Sequence, residues 1–395
     1  MKKILFMVTS MNIGGVEKSL LSLLNALPKD KYDITLMLLK EKGGYLEYVP
    51  QNIKIIEATW FKDIKPIIME SPYKIVKKFI KEKKFIKCIR FIYCYFVDKY
   101  LDNRFLFYKN VMREIPMNKE KYDVAIAYQG PTDIIDYYIA YKVKADKKIS
   151  WVHFDVSKYL FNNKLYTKLY KKYNKIFVVS NEAKNVLVSQ INNIKEKTEV
   201  FSNIVCKDTI LEMAKEKIDF DDSYKGIKIV TVGRLSREKG QDMAIEALYK
   251  LRKSGYDVKW YCVGDGNDRG YYEEMIKKYN LQKYFILLGA KTNPYYYMNE
   301  ADIYVQTSRH EGYCLTLAEA KCLEKVIVTT NFITASNQII DGENGFICEM
   351  NSDSIYRKIE FIINDDIQMK YIKNNLESEK FNMKENVNKL MEFID

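Results

Sequence analysis

The 395-residue sequence predicts an α/β chain of two domains, each built on a parallel sheet with helices on both faces. Three observations carry that expectation. Short runs that are apolar throughout recur along the whole chain, as strands buried on both faces do. Segments of helical spacing separate them, the pattern of alternating strand and helix. A polar, irregular stretch at 206–224 interrupts the alternation near the middle, and the chain is long enough for a core on either side of it.

The elements follow in order. Ile4–Val8 reads as the first strand, Gly14-Gly15 as a turn, and Glu17–Leu27 as a helix with Leu20, Leu21, Leu23, Leu24 and Leu27 inward. Met1-Lys2-Lys3 ahead of that strand resembles the start of a signal peptide, but the apolar stretch is too short and Thr9-Ser10 ends it. Asp33–Leu39, Val124–Tyr128, Ile149–Val152 and Ile176–Val179 are further strands, the last two running into His153 and Ser180. A second set comprises Ile229–Val232, Lys259–Val263, Phe285–Leu288, Ile303–Val305 and Val326–Thr329, and Met383–Asp395 closes the chain. The expected domains are 1–205 and 206–382.

Composition narrows the function classes. No run approaches the ~18 apolar residues needed to span a bilayer. Seven scattered cysteines without a CxxC pair argue against a disulfide framework or a zinc site, which points to a reducing cytoplasm. The net charge is +12, and the segment 62–113 holds fourteen Lys or Arg against five Asp or Glu. Within it Ile75, Phe79, Ile86, Ile89, Tyr93 and Phe96 recur at helical steps, with Lys77, Lys78, Lys81, Lys83, Lys84 and Lys87 largely between them. That pattern suits a basic amphipathic helix on an anionic membrane surface, on the inner face of the cell membrane. A packed helix pair with a solvated basic face is the alternative. No nucleic-acid motif accompanies the charge, so nucleic acid is not an expected partner.

Two segments carry chemistry. Ser308-Arg309-His310-Glu311-Gly312-Tyr313-Cys314-Leu315-Thr316-Leu317-Ala318-Glu319-Ala320 places two carboxylates eight residues apart, on a loop running into a helix. Glu311 sits just ahead of the helix N-terminus, where free N–H groups and the dipole favour an anion. Alone, that spacing is equally explained by helix capping and a solvated Glu319. The strand Ile227–Val232 ends in Gly233-Arg234-Leu235-Ser236-Arg237-Glu238-Lys239-Gly240-Gln241-Asp242, with a helix starting near Met243. Arg234 and Lys239 flank this turn, a planar fork and a point charge suited to phosphate. Gly233 and Gly240 leave room for a bulky ligand.

Together GRLSREKGQD and EGYCLTLAE resemble the carboxy-terminal domain of family 4 glycosyltransferases, retaining enzymes of the GT-B fold. Asp341-Gly342-Glu343-Asn344-Gly345 fits the family's DGxNG turn, and Gly14-Gly15-Val16-Glu17 its GGxE loop. The resemblance covers almost the whole chain, with four motifs in order. It implies two Rossmann-like domains facing a central cleft, the first binding the acceptor, the second the nucleotide sugar, and the final helix 383–395 crossing back onto the first. The implied activity moves a sugar from a UDP- or GDP-sugar to a bacterial surface glycan or lipid-linked saccharide, with retention and without cofactor or essential metal.

The resemblance also implies roles. His153, Glu311, Arg234 and Lys239 are the expected catalytic residues. Donor contacts are expected from Gly15, Gly233, Arg234, Lys239, Gly312, Tyr313, Cys314, Leu315 and Glu319. Glu319 would accept from the ribose hydroxyls, Glu311 would touch the sugar near its reacting carbon, and His153 would face that sugar from the first domain. Amides of Gly312, Tyr313 and Cys314 would point toward sugar and phosphate, and backbone near Gly289–Asn293 would read the base. His310 has no clear counterpart. The family usually has glycine where this chain has Cys314 and Glu324. Asp219-Phe220-Asp221 reads as solvated loop rather than a metal-binding pair. The rivals are a nucleotide-sugar epimerase of similar architecture, which the two-carboxylate segment fits less well, and a non-catalytic membrane-associated scaffold. Presence of the five charged and histidine residues together argues against the scaffold.

Overall fold

The computed structural model describes residues 1–154, 156, 161–216, 224–378 and 383–395. The chain divides into two compact units, Met1–Ser202 with Glu385–Asp395, and Asn203–Lys384. Asp219-Phe220-Asp221 lies outside the described residues.

In the first unit, β1 (Lys2–Val8), β2 (Tyr32–Leu38), β3 (Lys54–Glu57), β4 (Lys121–Gly130), β5 (Lys144–Val152), β6 (Lys175–Val178) and β7 (Thr198–Val200) form one sheet. Their order is β3-β2-β1-β4-β5-β6-β7, with every pairing parallel. Ile4 to Val8 of β1 are wholly buried, which is why the run carries no polar alternation. The helix Gly15–Ala26 buries Leu20, Leu21, Leu23 and Leu24. The final helix, Met383–Ile394, is held to this unit by Lys2, whose Nζ donates to the Ile394 and Asp395 carbonyls at 2.8 Å, and by Lys147, which donates to Phe393 at 2.6 Å.

The second unit holds β8 (Ile227–Val232), β9 (Val258–Val263), β10 (Phe285–Gly289), β11 (Ile303–Gln306), β12 (Val326–Thr330) and β13 (Phe346–Cys348), ordered β10-β9-β8-β11-β12-β13 and all parallel. Alternate residues serve two cores. Ile229, Trp260, Cys262, Ile303, Val305, Val326 and Val328 pack on one face; Val230, Tyr261, Val263, Tyr304 and Ile327 pack on the other. Each such fully buried aliphatic side chain stabilises by about 1.5–3 kcal/mol. The α/β fold expected from the sequence, two parallel sheets flanked by helices, is the one observed. In each sheet the strand order reverses once, between β1 and β4 and between β8 and β11, and such a reversal opens a crevice at the carboxyl ends.

The basic segment corrects one expectation. The spacing predicts a single helix face through Ile75, Phe79, Ile86, Ile89, Tyr93 and Phe96. The structure splits it into helices Pro72–Lys81 and Phe85–Leu101. Lys83 turns left-handed (φ 57°), donating to the Ile80 carbonyl while Lys84 donates to Phe79, which terminates the first helix by a Schellman motif. Ile75 and Phe79 are buried, whereas the other four are exposed.

Candidate functional site

The crevice between β8 and β11 collects most of the predicted residues. After β8 the chain runs through Gly233 and a short 3-10 turn, Arg237–Lys239, into the helix Gln241–Lys253. Gly240 has φ +69°, and a Cβ there would lie 2.1 Å from the Thr307 carbonyl oxygen. Its glycine is therefore demanded by the protein's own backbone, not by a ligand, which corrects the expectation for that position. Gly233 behaves differently. A Cβ there would make ordinary van der Waals contact with the Lys239 stem at 3.8 Å and Gln241 Nε2 at 4.0 Å, so among the described residues nothing crowds this position.

The two loops are stapled together. Thr307 Oγ1 donates to the Lys239 carbonyl at 2.9 Å, and the Arg309 amide donates to the Glu238 carbonyl at 2.7 Å. The Arg309 guanidinium reaches the Arg237 carbonyl at 2.7 Å and both Asp242 oxygens. These bonds bring the Lys239 ammonium to 2.6 Å from Glu311 Oε1, with 20 % and 8 % of the two side chains exposed. Burial works against the lysine's charge, but the Glu311 carboxylate outweighs it and lifts the Lys239 pKa above the ordinary lysine value. Glu311 Oε1 also accepts from Ser308 Oγ at 2.5 Å and from Gln306 Nε2 at 3.3 Å. Gln306 is in turn fixed by the Tyr304 hydroxyl at 2.5 Å and Thr316 Oγ1 at 3.2 Å. The sequence reading missed Tyr304, Gln306 and Ser308. The available signal was a polar Gln and Ser at alternate positions where an apolar strand ends.

Glu319 belongs to a separate network. It sits inside the helix Leu315–Cys322, is 2 % exposed, and accepts from the Tyr295 hydroxyl at 3.2 Å. The loop between the two glutamates is tied from behind. Thr334 Oγ1 donates to the Glu311 carbonyl at 3.3 Å, and the Gln338 amide donates to the carbonyls of Tyr313 and Cys314. Because a trans peptide sets C=O and N–H on opposite sides, the N–H groups of Gly312, Cys314 and Leu315 point away from these anchors. Cys314 caps the helix in the left-handed region (φ 53°), and burial pushes its thiol pKa up. Gly264 and Gly266 support the neighbouring loop: a Cβ at either would strike the Gly233 or Leu235 carbonyl. Arg234 is not on the Lys239–Glu311 pair; it is exposed and pairs with Glu238 at 3.0 Å. Asp341–Gly345 is a turn ahead of β13, with Gly342 at φ +79° and Asp341 Oδ1 accepting from the Ile347 amide.

Gly15 and His153 lie in the other unit. Gly15 opens the helix Gly15–Ala26 behind the extended Gly14. Glu17 is buried there and accepts from Gln129 Nε2 at 3.1 Å, while Gln129 Oε1 accepts from the Thr9 amide at 2.6 Å. Burial pushes the Glu17 pKa up, against the hydrogen bonds that lower it. His153 follows β5, its ring 4.7 Å from Tyr128, whose hydroxyl lies 2.9 Å from Ser19 Oγ. Among the described residues neither imidazole nitrogen has a well-aligned hydrogen-bond partner. Burial depresses the His153 pKa to about 3, with the nearby Tyr128 backbone opposing weakly. The ring is neutral at neutral pH, and both its nitrogens are buried. Among the described residues, no three His, Cys, Asp or Glu side chains gather as a metal site would require.

Residues 214–379 match the family model described as glycosyl transferases group 1. An uncharacterized glycosyltransferase of Methanocaldococcus jannaschii is 28 % identical over 181 residues, 44 % of each chain. The N-acetylgalactosamine-N,N'-diacetylbacillosaminyl-diphospho-undecaprenol 4-alpha-N-acetylgalactosaminyltransferase of Campylobacter jejuni is 28 % identical over 217 residues, 54 % of this chain and 58 % of that one. The chain thus spans about half the length of these curated relatives. The structure of Anabaena Alr3699/HepE in complex with UDP and glucose is similar with a TM-score of 0.72 at 16 % identity, over 100 % of this chain and 99 % of that one. That likeness covers both units and shows a shared fold.

Proposed function

We propose that the protein is a glycosyltransferase that takes its sugar from a nucleotide-diphosphate donor and transfers it, with retention, to a glycan or lipid-linked saccharide. The observation that carries this reading is the buried Lys239–Glu311 pair at the β8/β11 crevice, set beside the uncrowded backbone of Gly233 and the first turn of the helix Leu315–Cys322. A cation, a helix N-terminus and unobstructed backbone at one point are what a diphosphate needs. The family match of residues 214–379 supports the same use of this unit. The Campylobacter relative's name supports a lipid-linked acceptor, and the UDP and glucose held by the Anabaena protein support a UDP-sugar.

In this reading the bond between the anomeric carbon and the diphosphate breaks while the acceptor oxygen approaches on the same face. The acceptor proton passes to the leaving phosphate. Lys239, released from Glu311 by the incoming phosphate, neutralises the growing charge, with Arg234 supplying a second cation. Glu319 takes the ribose hydroxyls, Glu311 takes the sugar, and no metal is required. Single UDP- and GDP-sugars are offered with an undecaprenyl-diphosphate saccharide, and products are read by mass spectrometry. The expected result is one donor consumed and the acceptor heavier by one sugar, undiminished by EDTA. Epimerised sugar with free nucleotide and no acceptor product would establish the epimerase instead. Activity lost to EDTA and restored by Mn²⁺ would replace the cation mechanism by a metal one.

A further inference from the structure

The helix Phe85–Leu101 is anchored to the first unit by one face only. Cys88, Phe91 and Cys94, three residues apart, enter the core. On the opposite side Ile86, Ile89, Tyr93, Phe96 and Tyr100 recur at steps of three and four and are 73 %, 70 %, 61 %, 50 % and 67 % exposed. An amphipathic helix of a water-soluble surface carries polar residues on that side; this one carries an apolar row along nearly its whole length. Tyr73 and Ile80 of the preceding helix are exposed as well. On that preceding helix and its closing turn, Lys74, Lys77, Lys78, Lys81, Lys83 and Lys84 are all exposed. No helix among the described residues is long and apolar enough to cross a membrane.

We propose that this row docks the first unit onto an anionic lipid surface, with the helix lying in the plane of the interface. The apolar row enters the boundary between headgroups and acyl chains, and the lysines meet the headgroup phosphates. Tyr73, Tyr93 and Tyr100 present rings that are apolar in body and polar at the tip, which suits that depth. Charge decides against a second copy of the chain as the occupant. A two-fold contact through the same patch would set one lysine cluster against another, whereas an anionic surface complements both the row and the cations. The proposal is independent of the donor reading, because none of these residues belongs to the β8/β11 crevice.

The test is sedimentation of the full chain with vesicles of equal parts phosphatidylglycerol and phosphatidylcholine, against phosphatidylcholine alone. The wild type is expected to bind the anionic vesicles and to lose affinity as salt rises. Lys77→Glu, Lys78→Glu and Lys81→Glu together should lower the partition coefficient at least about 100-fold, near fivefold for each lysine removed. Ile89→Ser with Tyr93→Ser should lower it at least about tenfold. All five positions are exposed, so both variants should keep the wild-type unfolding midpoint. Failure of the wild type to bind, equal binding to both vesicles, or unchanged binding of either variant overturns the proposal. So does a dimer in solution that Ile89→Ser with Tyr93→Ser dissociates, since the row would then be covered by a second copy. Sugar transfer to a soluble acceptor should be unaffected in both variants, which keeps a failure here distinct from a failure of the glycosyltransferase reading.

Discussion

Replacing Lys239 with Met tests the centre of the crevice, because the stem is kept and only the charge is removed. The Glu311 side chain is 8 % exposed, so Lys239→Met strands a carboxylate that water scarcely reaches. Removing one partner of a buried pair costs about 3–5 kcal/mol when nothing else compensates. Here Ser308 and Gln306 still donate to Glu311, which places the expected loss lower, at about 2–3 kcal/mol. Urea unfolding followed through Trp260, buried in the second unit, reads that loss. Adding Glu311→Gln removes the stranded charge and should return about 1–2 kcal/mol, a coupling typical of groups in contact. Nucleotide binding gives the second reading. Lys239→Met should weaken UDP about 10- to 100-fold, the worth of one charge-assisted hydrogen bond. Glu311→Gln alone should bind UDP at least as well as wild type, since no carboxylate competes for the ammonium, yet lose about 10²–10³ in transfer rate. If Lys239→Met binds UDP normally, or if the double variant is no more stable than the single one, the pair is not a phosphate site waiting for its anion.

Three further outcomes are expected. His153→Ala should cut sugar transfer strongly while UDP affinity stays within a few-fold, and equilibrium UDP titration beside a transfer assay separates the two; equal losses would place His153 in the nucleotide site. Gly240→Ala should destabilise the second unit by about 2 kcal/mol or more through its left-handed backbone and the Thr307 carbonyl, whereas Gly233→Ala should fold normally and weaken UDP; a stable Gly240→Ala would show that the two loops are not locked. Asp136 of the first unit is wholly buried, and burial pushes its carboxyl up to about 7 against hydrogen bonds from Thr132, Ser150 and Tyr166. The native state then holds a proton that the unfolded chain releases near pH ~4, so this group's stabilisation is complete at low pH and is lost as pH rises through about 7, with a slope of up to ~1.4 kcal/mol per pH unit. Asp136→Asn should remove that slope in urea titrations read through Trp151, and an unchanged slope would refute the assignment.

What could be read from the sequence follows from what each element buries. β1, β4, β8, β11 and β12 lie inside their sheets, so both faces are apolar and the runs stand out. β3, β7 and β13 are edge strands of three or four residues. Lys54 and Glu57 bound β3 and Glu199 interrupts β7, while β13 is apolar but only three residues long, so none gives an apolar run long enough to stand out, and none was expected from sequence. In the crevice, Lys239 and Glu311 were conspicuous as charges next to glycines, and the structure pairs them, whereas the equally conspicuous Arg234 and Glu319 stand apart from that pair. Tyr304, Gln306 and Ser308 were not conspicuous, since their function is to hold Glu311 and that depends on a strand ending beside a loop. Helical spacing also could not show that the basic segment turns at Lys83, because the rows on either side of the break happen to share a phase.

The same physical cause underlies the two places where glycine was expected and is absent. Helices in this chain repeatedly end by a left-handed residue whose amide and that of its successor reach back three and five residues. Gly255 does so, and so does Asn280, whose amide reaches Lys277 while Leu281 reaches Ile276; both are residue types that announce such an end. Lys83 and Glu324 adopt the same conformation without the residue that favours it, Glu324 reaching Lys321 and Lys325 reaching Ala320. A left-handed L-residue costs about 1–2 kcal/mol, so something must impose it. At Glu324 the cause is position: Cys322 and Leu323 are buried, and β12 begins at Val326, so the chain must pass from helix to strand within three residues. The Lys207 ion pair at 3.0 Å is too exposed to supply more than a fraction of that cost. At Cys314 the left-handed turn opens the helix that carries Glu319. At Glu324 the conformation is therefore set by tertiary packing, and both Glu324 and Cys314 bear a backbone strain that a glycine would not.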